Sequence, residues 1–408
     1  MIQLFKNSIT NLFHLGAVQA TNVLLQLVLI PLVTSRVGIE ANGYVLTALS
    51  LSGFIGIVIN YASNQTGPMD VKLSMIDSKE TFSSMADIFF IRLMFFTLFF
   101  LVTLFLYAIN FSFSIFLVGI IPLLFAEVLN PYVFYLGSEK LQYYNIANLL
   151  SRALSLFMVY QALINVGDAP FVNAYVGSAQ ALGFIILWIQ LLRNKKNNIG
   201  VVTLRGIRVV LKNNLPLTVS NMIVHLQQSI FLFGLGITAS PLVLGAYAIA
   251  DKLIWGTRMI LIAFSNAIYP TAIETHHKSY QDWIRFRKQI NQVLAILLIF
   301  GGVILFFMAP ILANWLTKSS DTVIVTTFIQ CVSPVPLVIG LNALNVMELL
   351  MKNDFTVQLK LSIYVFLFSV VLSLFFLFVV PSSLSILYLL FLESICLIIY
   401  EKNRNNSR

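Results

Sequence analysis

Residues 244–270 read LGAYAIADKLIWGTRMILIAFSNAIYP, a stretch long and apolar enough to cross a membrane that nevertheless carries three charges. The charges are Asp251, Lys252 and Arg258. On an insertion scale each one costs about 2.5–3.5 kcal/mol at the middle of a membrane helix, and the three together cost on the order of 8–10 kcal/mol. The large apolar residues of the stretch return about half of that. The charged face of this helix must therefore meet protein or water rather than lipid.

The rest of the chain has the same membrane character. Of its 408 residues, 59% are hydrophobic and only 10% are charged, whereas soluble domains carry about 25% charged residues. Apolar runs of about 20 residues recur from one end to the other, and short alternating strands of the kind found in β-barrels do not. We therefore expect an all-α, polytopic membrane protein. Cys331 and Cys396 both lie in apolar runs and are interpreted as packing residues.

The hydropathy pattern predicts about twelve membrane spans. They are residues 12–35, 43–65, 88–110, 113–136, 143–164, 170–192, 215–238, 243–269, 289–311, 322–345, 359–380 and 382–400. An even number places both termini on one side of the membrane. Nineteen of the 25 Lys and Arg residues fall in segments on that side, against two, Arg36 and Lys318, on the other. The positive-inside rule makes the terminal side cytoplasmic, and it explains the net charge of +9 without a nucleic-acid partner.

The longest polar connection divides the predicted spans into two groups of six. It reads RNKKNNIGVVTLRGIRVVLKNN, residues 193–214, and it separates an N-terminal half, 1–200, from a C-terminal half, 201–408. A weak internal repeat supports the division, because one common offset aligns Gln26 with Gln228 and Gly43 with Gly245. Two parallel halves of this kind are typical of transporters, so we expect two six-helix bundles around a central cavity.

Two predicted spans each carry a polar face. The members of each face share one side of a helix: Gln19, Asn22 and Gln26 in the first span, and Asn221, His225 and Gln228 in the seventh. Such side chains either hydrogen-bond between helices or line a wet cavity. Their equivalent places in the two halves favour the cavity. Gln26, Asn221, His225 and Gln228 are therefore candidate substrate-binding residues.

The charges within the spans need partners. Asp251 and Arg258 share a helix face at spacing i, i+7, so we expect them to pair, whereas Lys252 points elsewhere and needs another partner. Arg258, Lys252 and the deeper Arg152 of the fifth span are candidate cationic site residues. Glu127 of the fourth span is expected either to pair with a nearby base or to carry a coupling proton.

Two further charges within the spans have less obvious roles. Arg92 lies near the cytoplasmic end of the third span, where its side chain is expected to reach out to the membrane surface. Glu393 in the last span receives no predicted role.

Motifs for nucleotide or metal chemistry are missing from the sequence. There is no G-x-x-x-x-G-K-[ST] loop, no H-E-x-x-H and no spaced Cys/His set. We therefore expect no cofactor, no metal and no nucleotide-driven step. His276 and His277 are interpreted as part of a solvated cytoplasmic turn.

The opening stretch resembles the eighth span of bacterial polysaccharide flippases of the multidrug/oligosaccharidyl-lipid/polysaccharide superfamily. The resemblance is carried by Gly245-x-Tyr247-x-x-Ala250-Asp251-Lys252-Leu253 and by Tyr269-Pro270. LIPLVTSRVGIEANGYVLTALS, residues 29–50, is similar to the first helical hairpin of that family, with Pro31, Arg36, Gly38 and Gly43 in the expected order. INYASNQTGPMDV, residues 59–71, is similar to its acidic-Tyr-Gly-x-Asn segment. Here Asn60 replaces the acid, Ala62 the glycine and Met69 the usual base, which weighs against a coupling role for this segment.

The resemblance implies an alternating-access transporter of the bacterial inner membrane that moves undecaprenyl-diphosphate-linked sugar repeats for O-antigen or other surface polysaccharides. Within it, Lys252, Arg258 and Arg152 are candidates for binding the diphosphate or acidic sugars, since phosphates need charge-assisted donors. Asp251 and Glu127 are candidates for ion coupling. The implied partners are the lipid-linked oligosaccharide and membrane lipid, together with a polysaccharide polymerase and a chain-length regulator.

Two alternatives to a flippase remain open. A cation-coupled multidrug exporter of the same superfamily would favour an acidic cavity, whereas the embedded charges here are four basic and three acidic. A membrane polymerase or ligase acting on the same lipid would resemble chains with a large outer loop. The outer loops here are short, such as GIEANG and NVGDAP, so we do not expect an enzyme.

The charge distribution predicts the topology directly. A reporter that is active only outside the cytoplasm should be active when fused after Asp168 or Ser240, and silent when fused after Lys196 or Lys278. Activity of each fusion, normalised to its amount in the membrane, is the measurement. The opposite pattern at two or more of the four sites would overturn the span assignment.

Overall fold

The computed structural model describes the backbone of residues 2–76, 83–138, 140–193, 201–317, 322–351 and 355–406. Within these ranges it describes the backbone alone for residues 2–20, 69, 72–76, 83–84, 266–267, 269–270, 277–278, 350–351, 355–356 and 404–406. The side chains of Gln19, Met69, Tyr269 and Pro270, named above, therefore lie outside the described part.

Helices make up nearly all of the described chain, and no strand occurs in it. The α-helices are α1 (Ile2–Asn60), α2 (Ser63–Ile76), α3 (Ser83–Ala108), α4 (Ser114–Leu129), α5 (Tyr132–Gly137), α6 (Leu141–Ala162), α7 (Val172–Arg193), α8 (Leu204–Thr238), α9 (Pro241–Lys278), α10 (Tyr280–Thr317), α11 (Thr322–Val332), α12 (Val335–Met351), α13 (Phe355–Phe378) and α14 (Leu387–Asn406). Short 3-10 turns occupy Val166–Phe171 and Ser382–Leu384. The predicted all-α membrane fold is confirmed.

Each predicted span lies on a helix or on a pair of consecutive helices. The first two spans share α1, the fourth covers α4 and α5, and the tenth covers α11 and α12. The breaks inside the fourth and tenth spans fall just before Pro131 and around Pro334. Proline has no backbone N–H to donate and it disfavours helical geometry in the residue before it, which accounts for both breaks.

The turn between the first two spans is a sharp kink at Gly38. This residue has φ 83° and ψ 169°, a combination open essentially to glycine alone. The buried Thr34 and Asn42 brace the two arms, because the Asn42 Nδ2 donates to the Thr34 Oγ1 at 2.7 Å across the kink. The glycine that the family pattern placed here therefore has a conformational reason.

Among the described residues, seven helical segments are long and apolar enough to cross a membrane. They are Thr21–Asn60, Met85–Ala108, Ser114–Gly137, Val166–Arg193, Tyr280–Thr317, Thr322–Leu349 and Val357–Phe378. The predicted spans on α6, α8, α9 and α14 are outside this set, although α6, α8 and α9 are long enough. Helices α6, α8 and α9 are excluded by their more polar composition and not by their length. These three helices carry Arg152, the Asn221–Gln228 face and the three charges of the opening stretch. The least apolar spans thus carry most of the candidate site residues.

The chain forms two compact units. One contains Met1–Leu25 and Tyr44–His225, and the other contains Gln26–Gly43 and Leu226–Arg408. Helices α1 and α8 each contribute to both units. The predicted halves, 1–200 and 201–408, remain a prediction.

The first unit is packed around α7, which lies against both α4 and α6. Glycines allow the close approach of α4 and α7: a Cβ on Gly177 would lie 2.1 Å from the backbone nitrogen of Leu123. Small residues at helix crossings are the usual means by which membrane helices pack tightly. The core on one side of α7 includes Tyr144, Phe184 and Leu187.

The second unit is built from α9 to α14, with α10 packed on α9, α11 and α12, and α14 packed on α12 and α13. A close crossing in this unit joins Gly43, after the kink in α1, to Gly245, at the start of α9. A Cβ on Gly43 would lie 2.7 Å from the Cα of Gly245, and one on Gly245 would lie 2.3 Å from the carbonyl oxygen of Ile39. The two glycines that the internal repeat aligned therefore contact each other.

The kink gives a test of the fold. Gly38→Ala should lower the free energy of unfolding by about 1–3 kcal/mol, because a side chain is strained at this backbone conformation even though space is free around it. Gly167→Ala is the matched control, since Gly167 is also surrounded by open space but its φ is not positive. The midpoint temperature of unfolding of the purified protein is the measurement. If both changes left the midpoint temperature unaltered, the strained backbone conformation at Gly38 would be contradicted.

Candidate functional site

The charges within the spans of the first unit gather around Arg92. This residue is only 3% exposed, and its guanidinium donates to the Ser63 Oγ at 2.7 Å, to the Asn64 Oδ1 at 2.9 Å and to the Asn130 carbonyl oxygen at 2.7 Å. The expectation that Arg92 reaches out to the membrane surface is therefore wrong. Protein acceptors meet this charge inside the bundle, which sequence spacing alone did not reveal.

Arg92 fixes the break between α1 and α2. Tyr61 and Ala62 at this break have φ 49° and 55°, in the left-handed region. Asn60 caps the next helix, because its Oδ1 accepts from the Ser63 Oγ at 2.8 Å and from the Asn64 backbone N–H at 3.0 Å. Ala62 stands where the family pattern has glycine, and a positive φ is the physical reason for a glycine there. This segment is thus a structural turn.

The N-terminal part of α8 also contacts the turn between α1 and α2. The Asn214 Nδ2 donates to the carbonyl oxygen of Tyr61 at 3.0 Å, and the Tyr61 hydroxyl donates to the carbonyl oxygen of Leu211 at 3.2 Å. Tyr61 also stacks on Phe95 with ring centroids 5.3 Å apart. The start of α8 is therefore fastened to the turn after the second span.

Glu127 and Arg152 belong to the same cluster as Arg92. The Asn130 Nδ2 lies 3.4 Å from the Glu127 Oε2, and Glu127 is close enough to interact electrostatically with both Arg92 and Arg152. Two guanidinium groups therefore lie near one carboxylate. Arg152 differs from Arg92 in that its buried Nε has no hydrogen-bond partner among the described residues. The cluster thus has an excess of positive charge and a donor that is still available.

The polar faces predicted on the first and seventh spans make partial networks within the first unit. The Asn148 Nδ2 lies 3.5 Å from the Asn22 Oδ1, and the Asn221 Nδ2 donates to the Gln65 Oε1 at 3.1 Å. His225 lies against Gly53, where a Cβ would be 2.9 Å from its Nε2. These contacts are of the kind that join helices, so they do not by themselves identify a binding surface.

Gln26 and Gln228, the remaining members of the two faces, belong to the second unit and are half-buried. The Gln26 Oε1 is buried without a hydrogen-bond partner in the part of the chain that the structure describes. An unpaired buried amide is costly, so this position is a candidate contact for a polar ligand.

The central feature of the second unit is a buried ion pair between α9 and α14. The Arg258 Nη2 donates to the Glu393 Oε1 at 2.6 Å, and the two residues are 7% and 8% exposed. The predicted pairing of Arg258 with Asp251 is therefore corrected. Residues at i, i+7 are about 10 Å apart along a helix axis, so a carboxylate on a neighbouring helix can lie closer. Glu393, which had no predicted role, is the partner.

Asp251 and Lys252 form the second part of this cluster. The Lys252 Nζ lies 3.9 Å from the Asp251 Oδ2, at the limit of ion-pair distance, and both side chains are buried. Asp251 is also near enough to Arg258 to interact with it electrostatically. Two cations and two carboxylates thus lie together, one pair tight and the other loose.

Tyr247 is a candidate functional residue that the charge pattern did not identify. It is completely buried one turn before Asp251, and its hydroxyl has no hydrogen-bond partner among the described residues. Its ring packs edge-on to Phe231 with centroids 5.2 Å apart. The signal in the sequence was the Gly245-x-Tyr247 pattern alone. No cluster of three or more potential metal ligands occurs in the described part of the chain.

The ion pair gives a direct test. Arg258→Ala or Glu393→Ala alone should destabilise the protein by about 3–5 kcal/mol, because each leaves a buried charge unpaired. The combined change should restore most of the stability, whereas Arg258→Ala with Asp251→Ala should not. Membrane abundance and midpoint temperature of unfolding are the measurements, with the exposed Glu40→Ala as the control carboxylate. Rescue by the Asp251 change and not by the Glu393 change would show that the pairing is wrong.

Comparison with known proteins supports the resemblance seen in the sequence. No protein-family model matches the chain. An Escherichia coli (strain K12) protein with the name "Putative O-antigen transporter" is 23% identical over 357 residues, which cover 85% of this chain and 84% of the relative.

Solved transporter structures share the fold over nearly the whole length. An inward-facing multidrug resistance MATE family transporter of the MOP superfamily superposes with a TM-score of 0.71 at 12% identity, covering 96% of this chain and 98% of that one. An outward-facing MATE structure gives 0.64 at 14% identity, covering 98% and 95%. A MOP superfamily transporter from Pyrococcus furiosus Vc1 (DSM3638) gives 0.63 at 15% identity, covering 97% and 94%. The chain therefore has the fold of these solved transporters, as the resemblance of its sequence predicted.

Proposed function

We propose that the protein is a flippase that moves undecaprenyl-diphosphate-linked oligosaccharide repeat units across the bacterial inner membrane by alternating access. It serves the synthesis of O-antigen or another surface polysaccharide. The name of the Escherichia coli relative supports this substrate class, and the shared fold supports the transport mechanism. The protein moves its substrate without changing it chemically.

The observation that carries the proposal is the excess of positive charge around Glu127. Arg92 uses its donors on Ser63, Asn64 and Asn130, whereas the Arg152 Nε has no partner among the described residues. A diphosphate leaving water needs charge-assisted donors, and the guanidinium fork matches phosphate oxygens. Arg152 is therefore the first candidate for contact with the diphosphate.

Lys252 and Arg258 are the corresponding candidates in the second unit. The Lys252 Nζ lies 3.9 Å from the Asp251 Oδ2, so a phosphate can compete with this carboxylate for the ammonium. Arg258 becomes available only when its bond to Glu393 opens. The proposed contacts for the sugars are Gln26, Asn221, His225 and Gln228, because amides and imidazole suit the hydroxyl groups of sugars.

Transport is proposed to draw on an ion gradient, with Asp251 and Glu127 as the coupling carboxylates. Each lies beside a cationic side chain, so an ion bound to the carboxylate would leave that cationic side chain available to an anionic substrate. The six-helix halves, 1–200 and 201–408, would act as the two moving bodies. Both termini face the cytoplasm, and a polysaccharide polymerase with its chain-length regulator receives the exported unit.

A multidrug exporter is the competing function, because solved relatives with this fold are multidrug transporters. Such a protein binds organic cations and needs an available carboxylate. In the first unit the carboxylate of Glu127 lies near two arginines, which opposes cation binding. The two functions therefore differ in the sign of the charge that the site accepts.

Reconstituted transport tests the function. Purified protein in liposomes should expose a fluorescent undecaprenyl-diphosphate-linked oligosaccharide to a membrane-impermeant reagent without added ATP. Arg152→Gln and Lys252→Gln should each slow this translocation roughly tenfold or more, since a hydrogen bond to a charged group contributes about 1.5–3 kcal/mol.

Lys360→Gln is the matched control, because Lys360 is an exposed cation on α13 and is a member of neither cluster. An absolute requirement for ATP would refute the mechanism. Efflux of cationic drugs without any translocation of the lipid-linked sugar would establish the exporter instead. Unchanged rates in both site variants would remove Arg152 and Lys252 from the site while leaving the transport function standing.

A further inference from the structure

A second candidate binding site lies in the second unit, away from the charges of the opening stretch. A cavity of about 430 Å³ is bounded by α10, α12 and α14. Its polar lining comes from consecutive turns of α10, where Arg287, Lys288, Asn291 and Gln292 lie on one face. The volume falls in the range of about 300–1,000 Å³ that is usual for small-molecule sites.

Arg287 is one of the nineteen basic residues on the predicted cytoplasmic side, and its side chain is buried. It is 7% exposed, its Nη1 lies 3.4 Å from the Glu348 Oε2, and its Nη2 donates to the Asn345 Oδ1. The buried Nε of Arg287 and the buried Oδ1 of Asn291 have no hydrogen-bond partner in the described residues. The wall of the cavity thus combines a fixed guanidinium with two unpaired polar atoms.

Lys288 supplies a cation to the lining of the cavity. Its side chain is exposed, and no ion pair joins it to a carboxylate of the described residues. Glu401 of α14 also lines the cavity, and Glu348 already balances Arg287. Glu401 has a contact of its own, so Lys288 is the cation of this lining that a ligand can use, and one cation suits a single, delocalised negative charge better than a dianion. A phosphodiester has that charge.

The position of the cavity along α10 indicates a lipid. The first turns of α10 are polar, and beyond Gln292 the helix becomes continuously apolar. Val293, Ile296 and Leu297 are each more than half exposed, which for a membrane helix means contact with lipid tails. The cavity therefore lies where the headgroup layer meets the hydrocarbon, and Ala295 and Leu341 give it an apolar end.

We propose that this cavity binds one anionic phospholipid, with its phosphodiester against Lys288 and Gln292 and the start of an acyl chain along Ala295 and Leu341. The lipid fills the gap between α10, α12 and α14 and so stabilises their packing. The site is independent of the proposed flippase function, because none of its residues belongs to either charge cluster of the spans.

The experiment titrates the purified full-length protein, in neutral detergent, with phosphatidylglycerol and follows the midpoint temperature of unfolding. Phosphatidylglycerol should raise the midpoint in a saturable way, whereas phosphatidylcholine, glycerol 3-phosphate and inorganic phosphate should not. Lys288→Gln should weaken the apparent affinity roughly fivefold, the usual contribution of one basic residue near anionic lipid. Ala295→Phe should abolish the shift by filling the apolar end.

Lys360→Gln is again the matched control and should retain the full shift, since it removes an exposed cation outside the cavity. An equal shift with inorganic phosphate would show a free-anion site and overturn the lipid assignment. An equal loss of apparent affinity for phosphatidylglycerol in Lys288→Gln and Lys360→Gln would show that the lipid is attracted to the positive surface in general, and would overturn the proposed site. An unchanged shift in both Lys288→Gln and Ala295→Phe would place the lipid elsewhere.

Discussion

A charged side chain in a membrane helix is stable only where protein or water meets it, and the helix packing of this chain follows that constraint. In the second unit the Arg258 guanidinium is met by the Glu393 carboxylate at 2.6 Å, which joins the eighth and twelfth spans. In the first unit Arg92 is met by Ser63, Asn64 and a backbone carbonyl. Removing either set of partners would leave a charge that neither lipid nor apolar side chains can stabilise.

The buried charges divide into those that are fixed and those that are not. Arg92 and Arg258 have short contacts on well-defined partners, and they hold helix ends and helix pairs in place. The Arg152 Nε is buried without a hydrogen-bond partner among the described residues, and the Lys252 Nζ lies at the limit of ion-pair distance from Asp251. An alternating-access transporter needs both kinds, because its bundles must stay rigid while its ligand contacts exchange. This division is the physical basis for assigning ligand contact to the second kind.

The sequence predicted the all-α fold, and each predicted span lies on one helix or on two consecutive helices, because hydrophobic length is a local property. It also predicted the positions of Gly38, Gly43 and Gly245, each of which proves to have a conformational or packing reason. It could not predict the partner of Arg258. Glu393 is far away in the sequence, and the nearest acid on the same face, Asp251, is about two turns along the helix.

The burial of Arg287 likewise could not be predicted from the residues around it in the sequence. In a run of basic residues it reads as a solvated topogenic charge, yet α12 supplies Glu348 and Asn345 to bury it. Whether a charge is solvated or buried depends on which helix lies opposite, and a single sequence does not contain that information. The sequence predicted where the helices lie along the chain, and the structure shows which helices pack against each other.

The account rests on recognition of a diphosphate by cations inside the membrane spans. The most direct measurement is the affinity of the purified protein for undecaprenyl diphosphate, without any sugar, against that for undecaprenol, which lacks the phosphates. The account predicts that the diphosphate lipid binds at least roughly tenfold more tightly, and that Arg152→Gln removes most of the difference. Equal affinity for the two lipids, or a preference that survives the loss of both Arg152 and Lys252, would contradict it.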